Sequence, residues 1–158
     1  MAIWQFRLVL IPEDSLRVSC GSVPTSIAED LAEDYPWWII VQPPNGFEGQ
    51  IDSILPKAVS WSDSMKMWGN KHSDTAWVGY DDVGSVEFIE CQIDVRSYSP
   101  GFIKDVCRFA KELKCVLLTK EYDLIKPDEL AVSDAINHSV AKQFVKDPIS
   151  TLRGLKNK

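Results

Sequence analysis

The chain has 158 residues, of which 45% are hydrophobic and 25% are charged, and its formal net charge is -6. This length fits one domain, because two domains would each approach the size at which a hydrophobic core becomes marginal. The composition excludes a disordered chain. It also argues against nucleic-acid binding, since that function requires a basic face that neutralises phosphates. No stretch of 18 apolar residues occurs, so no membrane-spanning segment is expected.

The charge is distributed unevenly, with acids concentrated in the first two thirds and bases at the end of the chain. An acidic body attracts a basic partner and accelerates the encounter with it. A requirement for solubility explains the same pattern, and the sequence leaves both interpretations open.

The cysteines form no C-x-x-C pair, and with His72 and His138 they give no zinc-site spacing. Three of them lie in apolar patterns, which predicts buried thiols in a reducing compartment. The chain has four cysteines, Cys20, Cys91, Cys107 and Cys115, and the three in apolar patterns are Cys91, Cys107 and Cys115. The N-terminus lacks the basic start and small-residue cleavage site of a signal peptide, so we expect a cytoplasmic protein. No cofactor-binding motif is recognised, and no cofactor is expected.

The first half of the chain gives one clear strand and several weaker signals. Alternation over residues 3–11 predicts a strand that is central or covered on both faces, and Pro12, Glu13 and Asp14 are expected to end it. A short helix is expected from Pro24, with the acids of its sequence directed outward; two acids in its last turn oppose the helix dipole. Residues 37–41 are predicted to be extended, residues 42–50 an exposed loop, and residues 51–69 an irregular segment or an edge strand.

The second half of the chain is more regular. Residues 75–80 and 85–96 are predicted to form a hairpin, with Gly84 adopting a positive φ in the turn and Phe88 marking a bulge or a second covered face. An amphipathic helix follows Ser99-Pro100, then a buried strand near residues 115–120 and a final helix from Pro127 to Asp147. The expected core includes Cys91, Ile93, Phe102, Val106, Phe109 and Ile136.

These elements predict an α+β fold, with a mainly antiparallel sheet and helices packed on one face. We expect a single domain over residues 1–148 and a loose basic tail over residues 149–158.

Catalytic signals are weak. Asp134 and His138 can face each other on the last helix, but no nucleophile motif accompanies them, so a surface pair is favoured. Asp81, Asp82 and Asp94 could hold a hard cation, yet no calcium-loop pattern is present and Asp-rich turns are common. Neither a catalytic residue nor a metal site is therefore assigned.

The chain contains six tryptophans, and two of them lie in the irregular segment. Tryptophan is enriched at binding hot spots, but it is also a common core anchor beneath a long loop. For Trp61 and Trp68 the core is favoured, and a contact surface remains the alternative.

Four stretches resemble the small acidic immunity proteins of bacterial polymorphic toxin and contact-dependent growth inhibition systems. They are ILPKAVSWSDSMKMWG, VEFIECQIDVR, RFAKELKC and SVAKQFVKDP, which together fall within roughly residues 51–148. The resemblance implies a cytosolic protein that binds and neutralises one cognate toxin domain and has no catalysis of its own. A small enzyme with a site at Asp81, Asp82, Glu90 and Asp94, or a protein-binding adaptor, remains the alternative.

If the chain is an immunity protein, its partner site should combine carboxylates with an aromatic side chain. The first candidate is the outer face of the second hairpin strand, with the turn and one tryptophan. Its residues are Asp81, Asp82, Glu87, Glu90, Gln92, Asp94 and Trp68. The second candidate is the acidic short helix, with Glu29, Asp30, Glu33 and Asp34.

Overall fold

The computed structural model describes residues 1–97 and 99–158, and the fold is α+β, as predicted. One seven-stranded sheet has the order β2-β3-β4-β5-β1-β6-β7, and every neighbouring pair in it is antiparallel. The strands are β1 (Gln5–Pro12), β2 (Lys57–Ala58), β3 (Met65–Gly69), β4 (Thr75–Tyr80), β5 (Val86–Asp94), β6 (Cys115–Leu118) and β7 (Leu124–Ile125).

The helices are short, with one exception. They are α1 (Glu13–Cys20), α2 (Glu29–Asp34), α3 (Phe47–Asp52), α4 (Pro100–Glu112), α5 (Glu129–Asn137), α6 (Val140–Lys146) and α7 (Pro148–Lys156). Even α4 has only 13 residues, and no helix in the described part of the chain has the length and apolar character needed to cross a bilayer.

The core lies against the face of the sheet that carries the alternate residues Phe6, Leu8 and Leu10 of the central strand β1. Across the β1–β5 pair, Phe6 is opposite Ile93 and Leu8 is opposite Cys91, so the apolar positions of both strands share this face. Helix α4 contacts β5 and β6. All six residues predicted for the core are buried, because strand period two and helix period 3.6 bring them to one side.

The predicted hairpin is confirmed as β4 and β5. Its register shifts between Gly79 and Tyr80, opposite the part of β5 that contains Phe88, so the predicted bulge is also confirmed. Gly84 has φ +83, as expected for the turn. The ring of Phe88 occupies the space beside Gly79: an added Cβ there would lie 2.1 Å from it.

The first half of the chain differs most from the prediction. Residues after Pro12 form helix α1, although Pro12, Glu13 and Asp14 were interpreted as the end of the first strand. Acids in a first turn and a glycine with positive φ at the end, here Gly21, stabilise such a short helix. Residues 37–41 are turns rather than extended chain, and α3 lies in what was expected to be a loop and an irregular segment. Residues 51–69 contain the end of α3, the two-residue edge strand β2, and strand β3, which lies between β2 and β4, so the edge-strand prediction holds only for β2.

The C-terminal region also departs from the prediction. The expected single helix is divided into α5 and α6, because the hydroxyl of Ser139 accepts a hydrogen bond from Lys142 N (3.2 Å) and begins a new helix. The predicted loose tail over residues 149–158 is mostly helical: α7 is capped by Asp147, whose carboxylate accepts a hydrogen bond from Ser150 N (3.2 Å).

The four cysteines are free thiols. Cys20 is exposed, whereas the other three are buried as predicted. Burial raises the pKa of Cys91 to about 12 and that of Cys107 to about 11. Neutral, buried thiols of this kind act as small apolar side chains.

Candidate functional site

The turn between β4 and β5 presents part of the first candidate surface to solvent. Asp82 and Glu87 are exposed, and Asp81 is half-buried. One oxygen of Asp81 accepts hydrogen bonds from Val83 N (3.0 Å) and Ser85 N (2.8 Å), so this carboxylate also holds the turn together. Among the described residues, Asp82 in the turn and Glu87 at the start of β5 have no ion-pair partner, so these two acids can meet another molecule.

The remaining polar residues of β5 do share one face, as predicted, because Glu90, Gln92 and Asp94 pair in register with alternate residues of β1. That face is not an open surface, however. Glu90 is half-buried and forms an ion pair with Arg7, while Gln92 is buried. Assigning Gln92 and Asp94 to a contact surface was wrong.

Asp94 is covered by the loop before β4. Asp94 N donates to Asp74 (2.7 Å), and the Asp94 carboxylate receives two hydrogen bonds from the Arg96 guanidinium (3.0 and 2.8 Å). The hydrogen bonds from Arg96 lower the pKa of Asp94, against the opposing effect of burial. The guanidinium also donates to the carbonyl of His72 and stacks over the Trp4 ring at 4.3 Å. Asp94 thus has a structural role.

The two tryptophans within residues 51–69, Trp61 and Trp68, have opposite environments. Trp68 is 0% exposed, and its indole N–H donates to Asp52 (2.7 Å) on α3. Its inclusion in the contact surface was wrong, and the preference for the core was right. Trp61 is 81% exposed, so the core interpretation fails for that residue.

Trp61 lies in the loop between β2 and β3, which is next to the acidic turn. Met65 pairs with Gly79, and Tyr80 N donates to Ser64 O (2.8 Å), so this loop and the β4–β5 turn project from the same end of the sheet. Three strongly exposed apolar side chains occur there, with the acids Asp63, Asp82 and Glu87 in the same two loops and at the start of β5. We call the apolar group, Val59, Trp61 and Val83, the apolar tip.

A cleft of about 610 Å³ lies beside the β4–β5 turn. The sheet provides its floor through Arg7, Val9, Phe88 and Leu118. Acids from both candidate surfaces line it: Glu33 and Asp34 from α2, and Asp81 and Glu87 from the hairpin. The structure therefore brings together residues that the sequence could only place on two separate surfaces.

The segment that follows α2 forms one wall of the cleft, and hydrogen bonds to distant parts of the chain hold it in place. The hydroxyl of Ser15 on α1 donates to the carbonyl of Trp37. The amide of Gln42 pairs with the backbone of Val86 in both directions: Gln42 Nε2 donates to Val86 O (3.0 Å) and Val86 N donates to Gln42 Oε1 (2.7 Å). These contacts fix the position of the aromatic residues Tyr35, Trp37 and Trp38 relative to the hairpin.

The second candidate surface is only partly directed at the cleft. Tyr122 OH lies within hydrogen-bonding distance of Glu29 (3.3 Å) and Glu33 (3.4 Å), which links the side of α2 to the chain before β7. Desolvation and the two neighbouring carboxylates raise the pKa of Tyr122. Asp30 accepts a hydrogen bond from Leu31 N (2.9 Å) and is exposed, but it does not line the cleft.

Two other polar groups of the described residues lie outside the candidate surfaces and the cleft. Asp134 and His138 are a highly exposed pair 3.7 Å apart, as predicted. Glu48 accepts hydrogen bonds from Lys66 (2.8 Å) and Tyr80, and these connect α3 to the sheet. Within residues 1–97 and 99–158, no group of three His, Cys, Asp or Glu side chains could hold a metal ion.

Comparison of the chain with protein-family models, with curated proteins and with solved structures found no significant match. The functional interpretation therefore depends on the chemistry of its own surface.

Sequence reasoning missed Trp61 as a surface residue, and it missed the cleft. One signal for the cleft was present: the acids Glu33 and Asp34 lie in the last turn of α2, where they oppose the helix dipole. An unfavourable cluster of charge in a stable fold indicates a role outside the fold itself.

Proposed function

We propose that this protein is an immunity protein, which binds a basic toxin domain and neutralises it without catalysis or a cofactor. The observation that carries the proposal is the position of the apolar tip at the same end of the sheet as Asp63, Asp82 and Glu87, which form no ion pair with another described residue. Trp61 is 81% exposed and Val59 is 94% exposed. Large apolar side chains that protrude next to charged groups are typical of protein contact sites, where a central aromatic residue supplies affinity and the charges around it supply steering.

The charge of the chain supports a basic partner. With a net charge of -6, the protein attracts a positively charged domain at long range, and this effect raises the association rate at low salt. A toxin that acts on nucleic acid is often basic because it binds phosphates, so a nuclease domain fits this partner class.

The alternative of an acidic enzyme has less support. Its four candidate residues are separated: Asp81 and Asp82 are in the turn, whereas Glu90 and Asp94 lie further along β5, paired with Arg7 and Arg96. Of these four acids, Asp81 lines the cleft beside the β4–β5 turn, whereas Asp82, Glu90 and Asp94 do not. An adaptor function would use the same exposed surface as an immunity function, and only the effect on the partner separates them.

The test begins with a pull-down that identifies the partner by mass spectrometry, followed by binding measurements on the purified domain. The variant combines Trp61→Ala, Asp82→Lys and Glu87→Lys, which are exposed positions without an ion pair in the described residues. We expect at least a roughly tenfold loss of affinity, with much of it in slower association at low salt.

The matched control carries Glu112→Lys and Asp134→Lys, two exposed acids outside this surface that give the same change of charge. Affinity and salt dependence that are equal in the two variants would exclude the apolar tip and its acids as the site. A partner that binds tightly but keeps its full toxic activity would contradict the immunity function and favour an adaptor.

A further inference from the structure

The cleft beside the β4–β5 turn carries more negative charge than its neighbourhood can balance. Four carboxylates line it, and the only cationic side chain among its lining residues is Arg7, which is paired with Glu90. Within the described residues, none of these carboxylates takes part in an ion pair, although Asp81 accepts backbone hydrogen bonds and Glu33 lies 3.4 Å from Tyr122 OH. The four carboxylates are Glu33, Asp34, Asp81 and Glu87.

This charge makes the cleft selective for a cation. An anion such as a phosphate would meet four carboxylates, and the single guanidinium on the floor is already satisfied by its own partner. A cationic group would instead be attracted from two directions, since α2 and the hairpin each provide two acids.

The uncharged part of the lining indicates which cation fits. Tyr35 and Phe88 are half-buried rings of the lining, and Tyr35 packs at a tilt on the buried ring of Trp37, with the two ring centroids 4.5 Å apart. Aromatic faces bind a flat guanidinium by stacking and by cation–π attraction, and a guanidinium also pairs with two carboxylates at once. A lysine ammonium is more strongly hydrated and makes neither contact as well.

The size of the cleft indicates that the cation is part of a larger ligand. A volume of about 610 Å³ is within the range of sites that enclose a small organic ligand, which exceeds one side chain. The apolar tip lies at the same end of the sheet as the hairpin part of the cleft, so one partner can cover both.

We infer that the cleft receives an arginine side chain, with its flanking residues, from the protein partner that the apolar tip contacts. The guanidinium stacks on the aromatic lining and pairs with carboxylates of both α2 and the hairpin. The source of the arginine depends on the proposed function, whereas the ability of the cleft to bind an arginine side chain does not.

The experiment uses N-acetyl-arginine amide as the probe and needs no toxin. The probe is titrated into the ¹⁵N-labelled full chain at constant ionic strength, with the uncharged N-acetyl-citrulline amide as its matched control. The indole N–H signals of Trp37 and Trp61, assigned through Trp37→Phe and Trp61→Phe, report on the cleft and on the apolar tip separately. We expect a saturable shift at Trp37 in the millimolar range, no saturable shift at Trp61 and none with the citrulline compound.

A double variant, Asp34→Asn with Glu87→Gln, removes one carboxylate from each side of the cleft. We expect it to weaken probe binding about fivefold, the effect of losing two partly exposed ion pairs. Glu112→Gln with Asp134→Asn makes the same change of net charge elsewhere and should weaken binding less than about twofold, because screened charges at a distance contribute little.

Three results would overturn the inference: no saturable shift at Trp37, the same shift with the citrulline compound, or equal affinity in the two double variants. Both variants retain the native side chains of the core, and an unchanged amide spectrum confirms that each is folded. Failure of the probe to bind counts against the arginine site alone, whereas failure to inhibit the toxin domain counts against the proposed function.

Discussion

Trp61 and Trp68 are seven residues apart, but replacing each with alanine should affect a different property. Trp68→Ala should destabilise the fold, whereas Trp61→Ala should weaken partner binding and leave the stability almost unchanged. Trp68 is fully buried, and its indole N–H is bound to Asp52. Trp68→Ala removes a large core side chain and leaves a cavity, which costs about 3–5 kcal/mol of unfolding free energy. Trp61 is 81% exposed, so Trp61→Ala should change stability by less than about 0.5 kcal/mol.

The hydrogen bond of Trp68 can be measured separately. Asp52→Ala leaves the buried indole N–H without its acceptor and should cost about 1–3 kcal/mol, the range for an unsatisfied buried group. The cost should fall toward the low end, because Asp52 is exposed and its carboxylate is already partly hydrated in the native state.

Urea unfolding followed by far-ultraviolet circular dichroism measures all three variants, since this signal does not depend on the number of tryptophans. The transition midpoint should fall for Trp68→Ala with an unchanged slope, and stay constant for Trp61→Ala. For a domain of this size, the Trp68→Ala loss corresponds to a melting temperature lower by about 6–20 °C. A loss below about 1 kcal/mol for Trp68→Ala, or a larger one for Trp61→Ala, would refute the assignment of these residues to core and surface.

Two further predictions concern ionisation. The pKa of Asp94 is lowered mainly by its hydrogen bonds from Arg96, and that of Glu48 is lowered because hydrogen bonds from Lys66 and Tyr80 outweigh its burial. Both acids stabilise the fold fully above their ordinary pKa values of 3.8 and 4.5, so the unfolding free energy should fall between about pH 5 and pH 2. Burial raises the pKa of Asp74, which opposes this trend. Asp94→Asn should flatten the pH dependence measured by urea unfolding, and an unchanged dependence would contradict the role of the Asp94–Arg96 pair. In a thiol titration, Cys20 alone should react rapidly in the native protein and all four cysteines should react in urea, since the other three are buried; rapid reaction of a second thiol in the native state would contradict this.

The parts of the fold that the sequence predicted are those specified by local periodicity. The β4–β5 hairpin and α4 each have a complete pattern within one short continuous stretch of the chain, and the spacing of their apolar side chains determines which face is buried. Helix α1 was missed because Pro12 was taken as the end of a strand, although a proline followed by two acids is equally a helix start.

The candidate site was only partly predictable, because burial at its residues depends on contacts distant in sequence. Trp68 is covered because β3 pairs with β4 and α3 lies against it, while Trp61, in a similar polar stretch, falls in the loop. Asp94 has the alternation of an outward-facing residue, yet the loop containing His72 and Asp74 folds over it. No local sequence pattern predicts that a residue will be buried by a segment distant in the chain.

The paired hydrogen bonds between Gln42 and Val86 have a consequence for solubility. Strand β5 is bonded to β1 only as far as the pair Val9–Glu90, so the first residues of β5 have no neighbouring strand on that side. The Gln42 amide occupies this position and presents a donor and an acceptor as a peptide unit would. An open strand edge is a template on which another chain can add a strand, and a side chain that satisfies it blocks this route to aggregation. The residue that shapes one wall of the cleft thus also covers this part of the strand edge.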